Sequence, residues 1–291
     1  MNLKINKRAK AKSILTKALI YIVLLIFAVI VLYPILWVVG SSLNPVNGVA
    51  RAGVIPQNST LGNYMRLLTK TKYLTWLLNT GYIAVLTMVF SVLINTLTAF
   101  VLARFRFKGR KFGMLFVMVI QNFPAFMSMT ALYMVALNFG MLNNLNMLVI
   151  IYVASGIPIS VWLTRGYLLN LSKSIDEAAY IDGATKLQVF FKIILPLSVP
   201  IITFVALIGF MTPWMDYLLP RLLISSPAKQ TVAMGLYTMV DNAQTSGTTH
   251  AYDVTAFCAG AVLIAVPITI LYMAFQKYLI NGLASGANKG E

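Results

Sequence analysis

Residues 112–164 read FGMLFVMVIQNFPAFMSMTALYMVALNFGMLNNLNMLVIIYVASGIPISVWLT, and none of them carries a charge. One bilayer crossing needs about 20 predominantly apolar residues, so this run holds more than twice the length of a span. Near its middle, Asn138-Phe-Gly-Met-Leu-Asn-Asn-Leu-Asn146 concentrates the residue types that form turns. The run is therefore predicted to be two antiparallel membrane helices, about 112–137 and 147–167.

The same test applied outward finds four more spans. ALIYIVLLIFAVIVLYPILWVVG, residues 18–40, follows Lys17 and is too long for the apolar core of a secretory signal, about 7–15 residues, and lacks a cleavage site. The others lie at about 74–103, 197–219 and 254–276, and prolines within or beside these runs are tolerated in membrane helices. The predicted fold class is an all-α membrane protein of six transmembrane helices. Its parts are a basic leader (1–17), a membrane domain (18–281) with outer loops at 41–73 and 220–253, a connecting segment at 172–196, and a tail (282–291).

Composition agrees. The 291 residues are 59% hydrophobic and 10% charged, with a mean hydropathy of +0.81, where soluble domains carry roughly 25% charged residues. A net charge of +16 by itself suits either nucleic acid or anionic lipid, and the hydropathy decides for lipid. One cysteine, Cys258, and one histidine, His250, leave no disulfide framework and no zinc-type ligand set. Orientation follows from the cations. With the amino terminus inside, only Arg51, Arg66, Lys70, Lys72, Arg221 and Lys229 of the 23 Lys and Arg residues fall outside. The expected location is the cell membrane, multi-pass, with both termini cytoplasmic.

Three of the seven acids sit in SKSIDEAAYIDGATKLQVFFKIILPLSVP, residues 172–200. Ser174-Ile-Asp-Glu177 and Thr185-Lys-Leu-Gln188 each have capping-box spacing, which predicts two short helices, 174–182 and 185–195, meeting at Gly183. Ala178 and Ala179 beside Glu177 give the first a slim face suited to another protein's groove. The competing reading is an interfacial amphipathic helix that only joins two spans.

Glu177-Ala-Ala-Tyr-Ile-Asp-Gly183 followed by Ile194-Leu-Pro196 resembles the EAA signature of ABC importer permeases. Asn79-Thr80, the run from Ala99 to Lys111, Trp214-Met-Asp-Tyr-Leu-Leu-Pro220, and Gly282-Leu-Ala-Ser-Gly-Ala-Asn-Lys-Gly290 extend the likeness to the MalG-type permeases of carbohydrate importers. The resemblance implies a type I ABC importer fold whose coupling helix, Ser174 to about Lys186, seats in an ATPase cleft. It assigns ATPase coupling to Glu177, Ala178, Ala179, Asp182, Gly183, Ala184, Leu195 and Pro196. It also implies a homologous, MalF-like permease partner, two nucleotide-binding ATPase subunits and an extracellular sugar-binding protein. Maltodextrin is the expected cargo, with galacto-oligosaccharide, raffinose or glycerol phosphate as alternatives. The sequence contains no G-x-x-x-x-G-K-[ST] loop to cradle nucleotide phosphates, so ATP and its Mg belong to a partner subunit and this chain is expected to bind no cofactor or metal.

Asp216 is the acid placed deepest in a predicted span, and such residues are functional candidates by default. With Trp214 and Tyr217 it is a candidate for the sugar pathway, the alternative being an interfacial pair with Arg221 one turn on. Gln121, Asn122 and Asn95 are either cavity lining or interhelical glue. In maltose-type permeases the last outer loop reaches into the binding protein, a role that falls here on Asn242, Gln244, Ser246, Gly247 and Thr248. A membrane enzyme needs clustered acids, a Ser/His dyad or a metal set, and a stand-alone transporter needs internal repeats and midplane ionisable groups. The sequence offers neither.

Overall fold

The structure, a computed structural model, describes residues 2–45, 54–56, 58–121, 125–245 and 251–287. Every regular element among them is helical: α1 (Asn2–Ser42), α2 (Gly62–Lys70), α3 (Tyr73–Arg104), α4 (Arg110–Gln121), α5 (Ala125–Asn138), α6 (Leu145–Asn170), α7 (Lys173–Ile181), α8 (Lys186–Val189), a π-helical turn (Phe190–Ile194), α9 (Leu195–Leu197), α10 (Val199–Met215), α11 (Leu218–Leu223), α12 (Val232–Thr245) and α13 (Ala251–Ala287).

Four stretches are long and apolar enough to cross a bilayer singly: Lys12–Ser42, Tyr73–Arg104, Leu145–Asn170 and Val254–Tyr278. A fifth qualifies only as a bent pair, Lys186–Leu197 with Val199–Met215, whose axes differ by 81°. The predicted third span is drawn instead as α4 and α5, of 12 and 14 residues. At 1.5 Å per residue these reach about 18 and 21 Å, short of the roughly 30 Å hydrocarbon core. The intervening sequence, which includes Pro124, lies outside the described residues.

The described residues divide into two compact units. The first holds residues 1–71 and 239–263 and is tied by one side chain. Asn63, fully buried, donates to the carbonyls of Ser42 (2.9 Å) and Asn44 (2.7 Å) and accepts from the Thr255 hydroxyl at 3.1 Å. Ser42 and Tyr64 hydroxyls add a 2.7 Å bond. The amide thus caps the end of α1 and holds α2 and the start of α13 to it. Most of α1 is exposed apolar surface, Leu25 at 66% for example, as befits a helix whose solvent is lipid.

In the second unit, residues 72–238 and 264–291, α3 packs on α6 and α10. Its inward stripe is Thr80, Ala84, Thr87, Ser91, Asn95 and Ala99, small or polar residues three or four apart. Such residues let membrane helices approach closely where no hydrophobic effect distinguishes protein from lipid. Gly209 on α10 meets this stripe: a Cβ there would stand 3.2 Å from the Met88 Cα and 3.5 Å from the Ser91 Cβ. At one end of the bundle, Asn79 donates to the carbonyls of Ala228 and Gln230, and Thr80 accepts from the Val232 amide at 2.8 Å. Asn143 accepts from the Ser226 amide and its carbonyl receives the Lys229 ammonium at 2.8 Å. Residues 226–232 are thereby fastened to α3 and to the turn before α6.

The Gly209 contact makes a direct prediction. Gly209→Leu must push α10 off α3 and is expected to cost about 1–3 kcal/mol; a thermal-unfolding midpoint unchanged from that of the parent protein in the same detergent would contradict this packing.

Candidate functional site

Residues 172–198 form a folded bracket built by local rules. Ser172 caps α7, its Oγ accepting from the Ser174 amide at 3.3 Å. The capping box predicted at Ser174 with Glu177 does not form; the cap lies two residues earlier and has no reciprocal acid. Ser174 stands within the first helical turn, where its hydroxyl meets that of Ser172 at 2.7 Å. The second predicted box is present: Gln188 accepts from the Thr185 amide at 2.7 Å and Thr185 accepts from the Gln188 amide at 3.3 Å.

Between the caps, α7 closes with a Schellman motif. The Ala184 amide reaches back to the Ala179 carbonyl (2.9 Å) and the Gly183 amide to the Tyr180 carbonyl (3.1 Å). This geometry needs a left-handed residue at the position after the cap, and Gly183 has φ +79°. No atom lies within 4 Å of where its Cβ would be, so the glycine is required by backbone conformation and not by crowding. Downstream, Pro196 has no amide to donate and its ring opposes the carbonyl four residues before it. The ladder there is shifted to a π turn over Phe190–Ile194, a device frequent at functional sites.

The bracket is welded to the ends of α3 and α6. Ala179, Val189, Phe190 and Ile194 are buried in one cluster with Ala99, Phe100, Leu102, Ala103, Val161 and Leu168. The Phe100 ring lies 5.1 Å from that of Phe190 and 5.5 Å, edge-on, from that of Phe105. Burying side chains such as Phe190 and Ile194 stabilises by roughly 1.5–3 kcal/mol each, and this packing holds the bracket in place.

At its centre Arg104, the last residue of α3, stands with Nε 2.7 Å from Asp176 Oδ2, both side chains almost inaccessible. The same guanidinium donates to the Leu171 carbonyl at 3.2 and 3.3 Å, closing the end of α6. Burial raises the Asp176 carboxyl above the usual carboxylate range, Arg104 pulls it back down, and the neighbouring Glu177 charge adds to the rise. Desolvation thus exceeds the attraction, as is common for buried pairs, and the pair contributes register more than stability.

Of the residues expected to couple, Glu177, Ala178, Asp182 and Gly183 lie on the exposed side of the bracket with Pro196, Ala184 and Leu195 are half-buried, and Ala179 faces inward. The slim face is therefore Ala178 alone. It is flanked by apolar side chains that face no protein, Ile181 at 86% and Leu187 at 66% exposure. Arg104 and Asp176 were not among the expected site residues. The first is one of five cations in a row that the positive-inside rule already explains, and the second stands beside a more conspicuous glutamate.

The expected pathway residues are distributed differently. Asp216 follows α10 and starts α11: Oδ1 accepts from the amides of Leu218 (2.9 Å) and Leu219 (3.3 Å), and Oδ2 from the Tyr152 hydroxyl at 2.9 Å. It does not pair with Arg221, the one ion pair among the described residues being Arg104–Asp176. Trp214 is buried against Phe210 at 5.7 Å, and Tyr217 stacks on Tyr237 at 4.1 Å. The fully buried Asn95 amide bonds to nothing among the described residues. Gln121 ends α4, and Asn242 and Gln244 lie in α12. Asn122, Ser246, Gly247, Thr248 and His250 fall outside the described residues. Cys258 is free and buried, and no group of three or more His, Cys, Asp or Glu gathers among the described residues.

Removing one member of the ion pair, as in Arg104→Met or Asp176→Leu, is expected to cost about 3–5 kcal/mol, whereas the double replacement recovers much of that loss. A double-variant cycle of thermal midpoints measures this, and simple additivity would refute it. Because the folded carboxyl is raised, the native state binds the extra proton between the unfolded value, about 3.9, and the raised one. Stability linked to Asp176 is therefore fully present below that window and falls as pH rises through it. Acidification toward pH 4 should improve the parent protein relative to Asp176→Asn; an equal pH response of the two would overturn the assignment.

Comparison with known proteins places this geometry. Residues 95–285 match the family described as "Binding-protein-dependent transport system inner membrane component". The maltodextrin transport system permease protein MdxG of Bacillus subtilis is 38% identical over 282 residues, 97% of this chain and 99% of that one. The maltodextrin permease MalD of Streptococcus pneumoniae is 37% identical over 287 residues, 98% and 100% of the two chains. The galactooligosaccharides permease GanQ of Bacillus subtilis is 36% identical over 273 residues, 93% and 94%. A chain of a bacterial ABC transporter "involved in the import of the acidic polysaccharide alginate" superposes with a TM-score of 0.78 at 25% identity, covering 91% of this chain and 96% of that one. A multi-pass helical membrane protein with a welded bracket between its spans, matched over nearly its whole length, this chain belongs to the binding-protein-dependent transport system inner membrane component family of ABC importers.

Proposed function

We propose that the chain is one of two homologous permease subunits of an ATP-driven importer for oligosaccharides of the maltodextrin type. In this reading it crosses the membrane six times with both termini cytoplasmic, α4 and α5 together making the third crossing. It receives sugar from an extracellular binding protein, and two separate ATPase subunits hydrolyse ATP. The names of MdxG and MalD support the sugar class; GanQ, at 36% identity, favours a galacto-oligosaccharide as the second reading.

The observation that carries coupling is the two-sidedness of residues 172–196. Its inner side is fixed to α3 and α6 by Phe190, Ile194 and the Arg104–Asp176 pair. Its outer side offers Glu177, Ala178, Ile181 and Leu187 to something else. Ile181 and Leu187 stand on that outer side beside Glu177 and Ala178, where a protein cleft would cover them. Seated in an ATPase cleft, it moves when the ATPases close, and because it is fastened to α3 and α6 those helices move with it. Alternating access follows from that displacement, and the chain performs no covalent step. Asp216, bound to Tyr152 and to α11, acts as a brace where α10 ends, and of the expected pathway residues sugar contact falls to Trp214, Tyr217, Gln121 and Asn122.

The complex purified with its native partners should hydrolyse ATP faster when the binding protein delivers maltodextrin. Stimulation only by a different class of solute would overturn the sugar assignment. Within that complex, Gly183→Val strains the left-handed turn by about 1–2 kcal/mol and should lower transport per ATP hydrolysed, whereas Gly183→Asn, which tolerates the conformation, should retain it. Equal coupling in both variants would remove the turn from the mechanism.

A further inference from the structure

The connection from α3 to α4 holds a groove of about 620 Å³ lined by Arg106, Arg110 and Lys111 together with Phe107, Phe112 and Leu115. Its cations are unequal. Arg110 is partly committed, donating to the carbonyls of Phe105 and Ala103 at 3.4 and 3.5 Å. Arg106 and Lys111 are exposed and form no ion pair among the described residues. No acid lines the groove, and the one acid paired to this loop's cations, Asp176, is taken by Arg104.

From the groove an apolar stripe runs up α4. Phe112, Leu115, Phe116 and Val119 recur at helical spacing and are 76%, 61%, 60% and 63% exposed. The opposite side of the helix is engaged, Met114 packing against the buried cluster of α3 and α6. Two free cations at the head of an exposed, unbranched apolar track match the outline of one amphiphile: a compact anion followed by a hydrocarbon chain. Positive charge at a membrane surface serves orientation wherever it lies, but that role requires neither a concave site nor an aligned stripe.

We propose that this groove is a binding site for an anionic phospholipid, its headgroup phosphate held by Arg106 and Lys111 and one acyl chain lying along Phe112, Leu115, Phe116 and Val119. The site rests on the membrane location of the chain and is independent of the sugar carried. A lipid seated there touches the residue next to Phe105, whose ring meets Phe100 and lies 5.0 Å beneath the Lys186 ammonium.

The test uses the full chain co-purified with its partner subunits and exchanged into vesicles of phosphatidylcholine containing one-fifth phosphatidylglycerol, with retained lipid counted by native mass spectrometry. The parent complex should enrich phosphatidylglycerol, and Arg106→Gln/Lys111→Gln should bind it about 30-fold more weakly, from roughly fivefold per cation at a membrane surface. Lys70→Gln/Lys72→Gln, the same change of charge elsewhere, should match the parent. Undiminished enrichment in the first variant, or equal loss in the second, overturns the site. Displacement of the lipid by millimolar inorganic phosphate overturns it in favour of a free-anion site. Failure of sugar-stimulated ATP hydrolysis in the same preparation would bear on the transport reading alone.

Discussion

The contact between Arg104 and Asp176 is where this architecture is decided. A guanidinium at the end of one long helix meets a carboxylate in the first turn of a short one, and the same guanidinium closes the carbonyl end of a third. Two charges withdrawn from water do not stabilise on their own account, since the desolvation of each rivals their attraction. They do penalise every arrangement in which one is buried without the other. Apolar packing around Phe190 and Ile194 tolerates small slips of α7 along α3; the ion pair does not. The segment is consequently attached with a defined register, which a force-bearing connection requires and a loop does not.

That division of labour repeats elsewhere. Asn63 and Asn79 each saturate two carbonyls at places where a helix end or a loop must be pinned. The length of α3 instead meets α6 and α10 through small or polar side chains with few directed bonds. Within the second unit, directed bonds gather where Asn79 and Thr80 hold residues 228–232, and the α3 stripe beyond them is small and sparsely bonded. Helices packed in this way can slide or tilt without breaking hydrogen bonds while their ends stay fastened, a division suited to alternating access.

Much of this was legible in the sequence, and the reasons for the rest are specific. The spans at 74–103 and 147–167 match α3 and α6 closely because charge ends them and Asn or Arg marks their borders. The Thr185–Gln188 box was readable because both partners lie within one turn. The cap of α7 falls two residues before the one that spacing predicts, because Ser172 and Ser174 both offer a hydroxyl and local spacing does not choose between them. The leader joins α1 without a break, since Lys and Arg are good helix formers and nothing there stops a helix. Partners far apart along the chain left no local trace: Asn63 meets Thr255 across 192 positions, and Arg104 meets a carboxylate that ordinary spacing rules never place beside it.

The turn at Ser198 has a mechanical meaning beyond its effect on counting spans. The stretch Lys186–Leu197 and α10 meet at 81°, so they form an elbow and not a rod. A displacement along the first arm arrives at α10 crosswise, as a bending moment on its near end, with almost no component along its axis. A straight junction would drive α10 as a piston through the bilayer, dragging polar ends into hydrocarbon. In the proposed coupling the elbow makes it a crank: a push on the first arm turns α10 about its close contact with α3 at Gly209 and Met88, and the end that carries Trp214 and Asp216 moves across the helix axis instead of along it.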